Sequence, residues 1–363
     1  MFENFLSVCK DVTKTTRKIP QGEYLSDGTY KIFDQGKNYI GGYCNTANGV
    51  ASDYPYIVFG DHTRVIKYIN EPCYIGADGV KLLKVYNNDF IPKFVYYAML
   101  ANPVEHQGYS RHFKLLKETK IRKYDKSIQN TIIDELDKIN LAISLKESIL
   151  NHLDELVKSR FIEMFGHPDA NEKGWEKSKL ENFINVVGGY AFKSQKYLSK
   201  GIPVLRIGNI NAGYFRDTNL VFYQEDSALE KYKIYPNDLV ISLTGTAGKD
   251  DYGNICLMDS TYGVYYLNQR NAKIEIKHNF NRFFLMYLFA HPEIKQRLTG
   301  KNHGIRQGNI LNKDILELDV YVPPIELQNE FADFVKLIDK SKFVGYFTLN
   351  IFYVKSSHFH HPP

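Results

Sequence analysis

One stretch of sequence occurs twice in this chain, at residues 116–139 and again at residues 315–338. Each copy has a short strand-like segment, a turn, a Gln-Asn pair and then an amphipathic helix. The pairs are Gln129-Asn130 and Gln328-Asn329. The copies are roughly 200 residues apart, a spacing far longer than any solenoid unit. The repeat therefore predicts two similar domains, each ending in a helix and related by a pseudo-two-fold axis.

Length and charge leave the class of ligand open. The chain has 363 residues, enough for two domains with separate cores. Its 46 lysines and arginines exceed its 41 acidic residues by five. Such a small excess permits nucleic acid as a partner without requiring it, so the local clustering of basic residues matters more.

The cysteines and the hydropathy indicate the compartment. Cys9, Cys44, Cys73 and Cys256 lie far apart and lack the spacing of a zinc site. They are therefore expected to be thiols in a reducing compartment. No apolar stretch resembles a signal peptide or is long enough to span a bilayer. These features predict a soluble, cytoplasmic protein without membrane association.

The pattern alternates between strand-rich regions and helices. Residues 127–165 carry isoleucine, leucine and valine at heptad spacing until Gly166. This seam favours a coiled-coil pair, and the helix would be roughly 55–60 Å long. Shorter helices are expected at 92–101 and 281–290, and the strands with the clearest pattern are at 54–59, 64–69, 80–85, 203–207, 238–243 and 271–276.

The second long helix begins at about Glu326 and resembles a helix until Ser341. Residues 342–363 contain no acidic side chain, are rich in β-forming residues and end in Pro-Pro. This composition favours a truncated or disordered tail. The alternative is that 343–354 continue the helix despite Gly345, since one glycine costs only about 1 kcal/mol.

Several motifs, in order along the chain, resemble those of the specificity subunit of Type I restriction–modification systems. The match covers roughly residues 1–341, with several motifs in the same order. The residues that carry the resemblance are 57–61, 75–79, 156–166, 175–180, 202–210, 238–249 and 323–328.

The resemblance implies an α+β fold in which two similar strand-rich target-recognition domains are joined by long antiparallel coiled-coil spacer helices. It implies a DNA-recognition subunit that reads a bipartite target and directs adenine methylation and cleavage by partner subunits. Its partners would be double-stranded DNA, methylation subunits docked on the spacer helices, and restriction subunits in the complex. The corresponding ranges are a first target-recognition domain at 1–125, a spacer helix at 126–166, a second target-recognition domain at 167–324, the start of the second spacer at 325–341, and an atypical tail at 342–363.

Catalytic motifs are not recognisable. The chain has no Asn-Pro-Pro-aromatic motif, no G-x-G-x-x-G after a strand, and no P-loop, because Lys249 is followed by Asp250. We therefore expect a non-catalytic subunit with no cofactor and no metal site. The histidines at 358, 360 and 361 could bind metal, but histidines in a tail more often have no ligand. Two other classes stay open, a coiled-coil protein with two protein-binding heads and an enzyme with an unrecognised site.

Candidate DNA contacts lie in glycine-containing loops. Residues 244–249 form either a tight turn or a phosphate-binding loop, with about equal support for each. Residues 266–271 carry the amide and guanidinium groups that read adenine and guanine edges, although such groups also stabilise turns. The turn is favoured over a base contact for Asp61–Arg64. The loops 108–114 and 301–307 are read as corresponding. The predicted contacts are Arg64, Arg111, His112, Lys114, Thr244, Thr246, Lys249, Asn268, Gln269, Arg270, Lys301, His303, Arg306 and Gln307.

The apolar seam of the first long helix also predicts that the chain associates. A partner helix that ended near Ser341 would cover only part of the seam of the first helix. An uncovered apolar stripe is an association surface, so the isolated chain is expected to form a homodimer or to aggregate unless another subunit covers it.

Overall fold

The computed structural model describes residues 1–108, 110–300 and 307–358, and the side chains through Phe343. The chain divides into two compact units. Unit 1 comprises Met1–Ser148 with the C-terminal segment from Gly345, and unit 2 comprises Ile149–Val344. This boundary lies inside the long helix, whereas the sequence analysis treats that helix as a separate region. Within the described residues no helix is long and apolar enough to cross a membrane.

Unit 1 is built from short strands and a few helices. Its two four-stranded sheets have the orders β2-β9-β6-β7 and β3-β8-β4-β5, and β1 pairs with β10. The elements are β1 (Phe2–Asn4), α1 (Phe5–Val8), β2 (Cys9–Asp11), β3 (Lys18–Ile19), β4 (Tyr30–Phe33), β5 (Gly42–Cys44), β6 (Tyr56–Gly60), β7 (Ile66–Ile69), β8 (Cys73–Gly76), β9 (Val80–Val85), α2 (Pro92–Ala101), α3 (Phe113–Leu116), β10 (Lys120–Arg122) and the start of α4 (Lys126–Phe165).

Unit 2 repeats most of this order. Its sheets have the orders β12-β20-β16-β18 and β14-β13-β19-β15, β11 pairs with β22, and β17 pairs with β21. The elements after α4 are β11 (Glu176–Lys179), β12 (Ile184–Gly188), β13 (Ile202–Leu205), α5 (Ile207–Ile210), β14 (Val221–Tyr223), β15 (Lys233–Ile234), β16 (Leu239–Ser242), β17 (Thr244–Thr246), β18 (Ile255–Leu257), β19 (Tyr265–Leu267), β20 (Asn271–Ile276), α6 (Arg282–Ala290), α7 (Pro292–Thr299), β21 (Gln307–Asn309), α8 (Asn312–Leu316), β22 (Asp319–Val322) and α9 (Ile325–His358).

The two units share their strand order. In each, one four-stranded sheet is antiparallel throughout, with the orders β2-β9-β6-β7 and β12-β20-β16-β18. The second sheet of each unit has a central parallel pair, β4 with β8 and β13 with β19. They differ at one edge, where β3 is parallel to β8 but β15 is antiparallel to β19. The shared fold that the repeat predicts is therefore confirmed in the antiparallel sheet and in the central strands of the second sheet, while the edge strands β3 and β15 differ. The pseudo-two-fold axis stays a prediction.

The Gln-Asn pairs have a structural explanation. Both glutamines are fully buried, and the side-chain amide of each makes three hydrogen bonds with backbone groups. Gln129 accepts from the N–H of Ile91 at 2.8 Å, and Gln328 accepts from the N–H of Asn281 at 2.9 Å. Each side-chain NH₂ donates to two carbonyls, one of them just before its own helix. The repeat thus ties the start of α2 to α4, and the start of α6 to α9.

In unit 2 the end of α4 packs on α9 and α6 through aromatic rings. Phe331 is fully buried, and its ring centroid lies 5.5 Å from the ring centroids of both Phe161 and Phe165. Ion pairs join Arg160 to Glu330 and Lys342 to Asp154. Since the higher number on one helix meets the lower number on the other, this part of the helix pair is antiparallel.

Helix α9 does not end near Ser341. It continues to His358, so the expected end of the helix is wrong and the alternative, continuation past Gly345, is correct. The penalty of about 1 kcal/mol for one glycine is small, because a helix that is already formed extends at a low cost per residue. The expected tail at 359–363 lies outside the described residues.

The outer face of α4 carries apolar side chains that stay exposed. Leu141 is 61% exposed, Leu145 is 55% and Ile149 is 51%, and they follow one another at four-residue spacing. Leu156 continues the same row. Side chains four or seven residues apart lie on one face of a helix, so Leu141, Leu145, Ile149 and Leu156 form a stripe, called here the α4 stripe.

We expect the native protein to react very slowly with thiol reagents at neutral pH. All four cysteines are buried and free, and burial raises the pKa of Cys9, Cys73 and Cys256 to about 12. The reactive thiolate is therefore scarce, and the sulfurs are shielded as well. Counting thiols with Ellman's reagent, first in buffer and then in denaturant, checks this. Rapid release from the native protein would contradict it.

Candidate nucleic-acid interface

The predicted contact residues of unit 2 come from three distant segments that meet at Leu243. The Leu243 N–H donates to the Arg270 carbonyl at 2.9 Å, and its carbonyl accepts from the Ile310 N–H at 2.8 Å. Leu243 lies between β16 and β17, Arg270 lies in the turn before β20, and Ile310 follows β21. The backbone of one residue therefore brings together the loop after β17, the turn before β20 and strand β21. We call this the Leu243 junction.

Strands β17 and β21 form a narrow ribbon in which Gly245 pairs with Gly308. A Cβ atom on Gly245 would lie 2.8 Å from Tyr252 Cβ, and one on Gly308 would lie 2.3 Å from the Tyr252 hydroxyl. Both glycines are required because the buried Tyr252 ring fills the space beside them. For Gly245, therefore, the reason for glycine is packing rather than contact with a ligand.

The tip of the loop after β17 differs from its base. Thr244 is buried, and its hydroxyl pairs with the Asn309 amide oxygen at 3.2 Å, which contradicts its prediction as a DNA contact. Thr246 and Lys249 are exposed. Gly248 has φ +78° with open space around it, so here glycine serves the turn. Lys249 has no ion-pair partner among the described residues, which leaves its ammonium available at the tip.

Residues 268–271 form a tight turn, closed by the Asn271 N–H donating to the Asn268 carbonyl at 2.9 Å. Asn271 is fully buried and donates to the Leu205 carbonyl at 2.7 Å, so it stabilises the turn. Gln269 and Arg270 are exposed at the tip. Asn271 therefore stabilises the turn, which is the alternative to a base contact, while the side chains of Gln269 and Arg270 are exposed.

A basic depression lies beside this turn. Its lining includes Arg206 and Arg270 as well as the amides Asn268 and Gln269. Arg206 donates to the Asn219 carbonyl, and its buried Nε has no hydrogen-bond partner among the described residues. Arg206 is not among the contacts predicted from the sequence. The signal was present, because this arginine directly follows β13 within the motif at 202–210.

Unit 1 has the same junction, formed by Asp61. The Asp61 N–H donates to the Gly79 carbonyl at 2.6 Å, and the Asp61 carbonyl accepts from the His112 N–H at 2.8 Å. The three segments again are the loop after a central strand, the turn between β8 and β9, and the chain before a short helix. Here the aspartate side chain adds a bond, since Oδ1 accepts from the Phe113 N–H at 2.7 Å. We call this the Asp61 junction.

His112 belongs to the interior of this junction. It is fully buried, its Nδ1 pairs with the Asp61 carbonyl at 2.9 Å, and its Nε2 accepts from the Gln107 N–H at 3.2 Å. Both ring nitrogens are occupied inside unit 1. This contradicts the prediction of His112 as a DNA contact, because the imidazole has no exposed edge to offer.

The other predicted cationic contacts of unit 1 are Arg64, Arg111 and Lys114, which differ in how far they are exposed. Arg64 is half-buried, has φ +62° in the turn between β6 and β7, and donates to the Val104 carbonyl at 3.0 Å. The turn favoured for Asp61–Arg64 is therefore observed, and part of the guanidinium is committed to it. Arg111 and Lys114 are exposed on either side of His112.

The loops 108–114 and 301–307 do not correspond residue by residue. The matching backbone bonds, His112 to Asp61 and Ile310 to Leu243, align Arg111–Lys114 with residues 309–312, from the end of β21 to the first residue of α8. Lys301, His303 and Arg306 lie outside the described residues. Gln307 is exposed and pairs with Thr246 across the ribbon. The structure therefore joins two of the predicted loops of unit 2 in one ribbon.

Known proteins with similar sequences support the family that the motifs indicate. Residues 172–343 match the family model "Type I restriction modification DNA specificity domain". The specificity subunit of the Type I restriction enzyme MjaVIII from Methanocaldococcus jannaschii is 25% identical over 57% of this chain and 52% of its own length. That of EcoBI from Escherichia coli is 24% identical over 44% of this chain and 31% of its own length. The chain thus aligns with about half or less of these relatives.

Solved structures show the same fold over nearly the whole chain. The Type I restriction–modification S subunit from M. genitalium has a TM-score of 0.59 at 17% identity and covers 99% of this chain and 94% of its own. A chain from a structure of Type I restriction–modification assembly and conformational transition has a TM-score of 0.55 at 14% identity and covers 99% and 96%. Residues 172–343 are therefore similar to the Type I restriction modification DNA specificity domain, and the chain has the α+β fold of these solved structures.

Proposed function

We propose that this chain is the DNA-recognition subunit of a Type I restriction–modification complex. In this proposal each unit reads one half of a bipartite duplex target. The chain itself is non-catalytic and directs adenine methylation and DNA cleavage by partner subunits. The observation that carries the proposal is the pair of junctions, where one backbone arrangement in both units presents different exposed side chains.

The Leu243 junction has the composition that base reading requires. Arg270 and Gln269 have the bidentate geometries that suit guanine and adenine edges. Lys249 and Thr246 lie on the neighbouring loop, where an ammonium and a hydroxyl suit phosphate oxygens. The Asp61 junction offers Arg111 and Lys114 instead. Since the exposed side chains differ, we expect the two half-sites to differ in sequence.

The partners follow from the same proposal. Methylation subunits would dock on the long helices, and restriction subunits would join through the complex. The α4 stripe supports a docking role because a row of exposed leucine and isoleucine side chains favours association. In the isolated chain this surface would favour a homodimer, and sedimentation that gives a monomer at micromolar concentration would contradict this part. The buried free thiols support a reducing, cytoplasmic compartment.

The coiled-coil protein with two protein-binding heads receives no support from the comparisons. Its distinguishing expectation is that DNA affinity does not depend steeply on salt. A DNA reader should instead lose affinity steeply as salt rises, because cations on the protein replace counterions on the phosphates.

Replacing Arg270 by alanine should weaken binding to the specific duplex by about 1–3 kcal/mol and relax the preference at one base pair. Arg306→Ala should behave in the same way if that residue meets a base edge. The target would first be identified by methylome sequencing of cells that carry this subunit with its methyltransferase. Fluorescence anisotropy with target and scrambled duplexes then gives both affinities.

Lys249→Ala tests the phosphate role separately. It should weaken binding to target and scrambled DNA alike and reduce the slope of log K against log salt by about one. Lys336→Ala, an exposed lysine on α9, is the control and should leave the slope unchanged. If Arg270→Ala, Arg306→Ala and Lys249→Ala all bind as the unmodified protein does, the site assignment in unit 2 is wrong.

A further inference from the structure

Three potential metal ligands meet in unit 2. His167 follows Gly166 at the end of α4, His291 separates α6 from α7, and Glu293 lies in the first turn of α7. One donor atom from each lies within 4.8 Å of the other two. No metal site is expected from the sequence, and these residues are not among the predicted ligands, since His167 and His291 are 124 positions apart (291 − 167 = 124).

Contacts that do not involve the three ligands hold the loop after α4 against helix α7. Asp169 forms an ion pair with Arg297 on α7, and the Arg297 guanidinium also donates to the Pro168 carbonyl at 3.4 Å. Pro292 begins α7 directly after His291, and proline favours that first helical position. The loop after α4 is thereby attached to α7 independently of the three ligands.

Two of the three donor atoms lack partners. His291 Nδ1 and Glu293 Oε2 are buried, and neither has a hydrogen-bond partner among the described residues. They lie 3.7 Å apart, too far for a hydrogen bond between them. Buried polar atoms in folded proteins nearly always have a partner, so this pair requires an explanation. Both atoms can act as metal ligands, and a donor atom of each residue lies within 4.8 Å of a donor atom of His167.

We propose that His167, His291 and Glu293 bind one divalent transition-metal ion of the zinc class. Two imidazole nitrogens and one carboxylate oxygen form a common zinc ligand set, with a water molecule completing a tetrahedron. Imidazole ligands disfavour magnesium and calcium, which take oxygen ligands. Metal–ligand bonds near 2.0–2.1 Å place ligand atoms about 3.3 Å apart. The exposed His167 side chain must therefore close in, while the partly buried pair is already near that spacing.

The ion would brace α7. It would hold the first turn of this helix against the loop after α4, beside the contact that Arg297 and Asp169 already make. Helix α7 ends at Thr299, shortly before the predicted contacts Lys301, His303 and Arg306. The site is thus structural in character, since its ligands fix the base of a helix that leads to the Leu243 junction.

The test uses the full chain with its tail histidines removed. The protein would carry His358→Ala, His360→Ala and His361→Ala so that the tail cannot bind the ion. After treatment with EDTA and removal of the chelator, Zn²⁺ is titrated by calorimetry and Co²⁺ by visible absorption. One ion per chain is expected, with a Co²⁺ spectrum typical of four-coordinate nitrogen and oxygen ligation.

Single variants in this background locate the site. His167→Ala and Glu293→Gln should each weaken Zn²⁺ binding by at least about 10–100-fold, the loss that follows even from removing a partner outside the ligand set. His278→Ala, an exposed histidine of the same unit, is the matched control and should leave the affinity unchanged. Far-UV circular dichroism checks folding, and if His167→Ala unfolds, the isosteric Glu293→Gln decides.

Two results would overturn the proposal. One is the absence of a one-to-one Zn²⁺ isotherm in the tail-histidine background. The other is a binding constant that is the same in Glu293→Gln as in the background protein. Neither readout depends on DNA, so the metal site and the proposed recognition function stand or fall separately.

Discussion

Replacing Phe331 by alanine should lower the free energy of unfolding of unit 2 by about 3–5 kcal/mol. The ring is fully buried and contacts the rings of Phe161, Phe165 and Tyr287. Its removal leaves a cavity where α4, α6 and α9 meet, and a close-packed interior refills such a cavity only in part. The loss should also loosen the antiparallel contact between α4 and α9.

Trp175 gives a readout confined to this unit. It is the only tryptophan in the chain, and its indole N–H donates to the Phe165 carbonyl at 2.9 Å. Urea unfolding followed by its fluorescence should show a lower midpoint for Phe331→Ala. Phe343→Ala is the matched control on the same helix, where the ring is 72% exposed, and its midpoint should be close to that of the unmodified protein. Equal shifts in both variants would refute the packing assignment.

Gln328→Leu should destabilise unit 2 by about 3–5 kcal/mol, since leaving a buried polar group without a partner costs about 1–3 kcal/mol each. Leucine has a similar size but cannot accept from the Asn281 N–H or donate to the Asn279 and Pro323 carbonyls. The N–H at the start of α6 should then exchange with solvent much faster than before.

Hydrogen exchange at Asn281 and the Trp175 midpoint together test this role. Gln296→Leu, at an exposed glutamine on α7, is the control and should change the free energy of unfolding by less than about 0.5 kcal/mol. Protection of the Asn281 amide that is unchanged in Gln328→Leu would mean that the glutamine does not hold the helix start. Gln129→Leu should have the corresponding effect at Ile91 in unit 1.

The repeat in the sequence predicted the shared fold because local pattern and tertiary role coincide there. Strand β9 and helix α2 occupy the expected residues, and α4 (Lys126–Phe165) differs from the expected range 126–166 by one residue at its end. The structural role of the Gln-Asn pair could not be predicted from the local sequence pattern. The partners of Gln328 lie near Asn279 and Asn281, and no local pattern links residues so distant along the chain.

The end of α9 shows where composition misleads. The segment after Ser341 lacks acidic residues and is rich in β-forming ones, which favours the end of a helix. Propensity is a weak preference, however, and an established helix continues through unfavourable residues at small cost per residue. A single glycine was too weak a signal to place the end.

Sequence alone could not separate buried from exposed side chains among the predicted contacts, for a physical reason. Sequence gives the kind of side chain but not its direction, so the buried His112 and Thr244 looked the same as the exposed Arg111 and Thr246. The two junctions are backbone contacts, which any residue can make. Their existence therefore left no trace in residue type at Leu243 or Asp61.

Both junctions are held by main-chain hydrogen bonds and by a few buried side chains such as Tyr252 and His112. The exposed tips, among them Gln269, Arg270 and Lys249, contribute little to folding, and exposed substitutions usually change stability by less than about 0.5 kcal/mol. A lineage with this architecture can therefore vary the outward-facing residues without losing the protein to degradation. The identity of the ligand that must be bound, and not the stability of the fold, then limits how far these exposed residues can change.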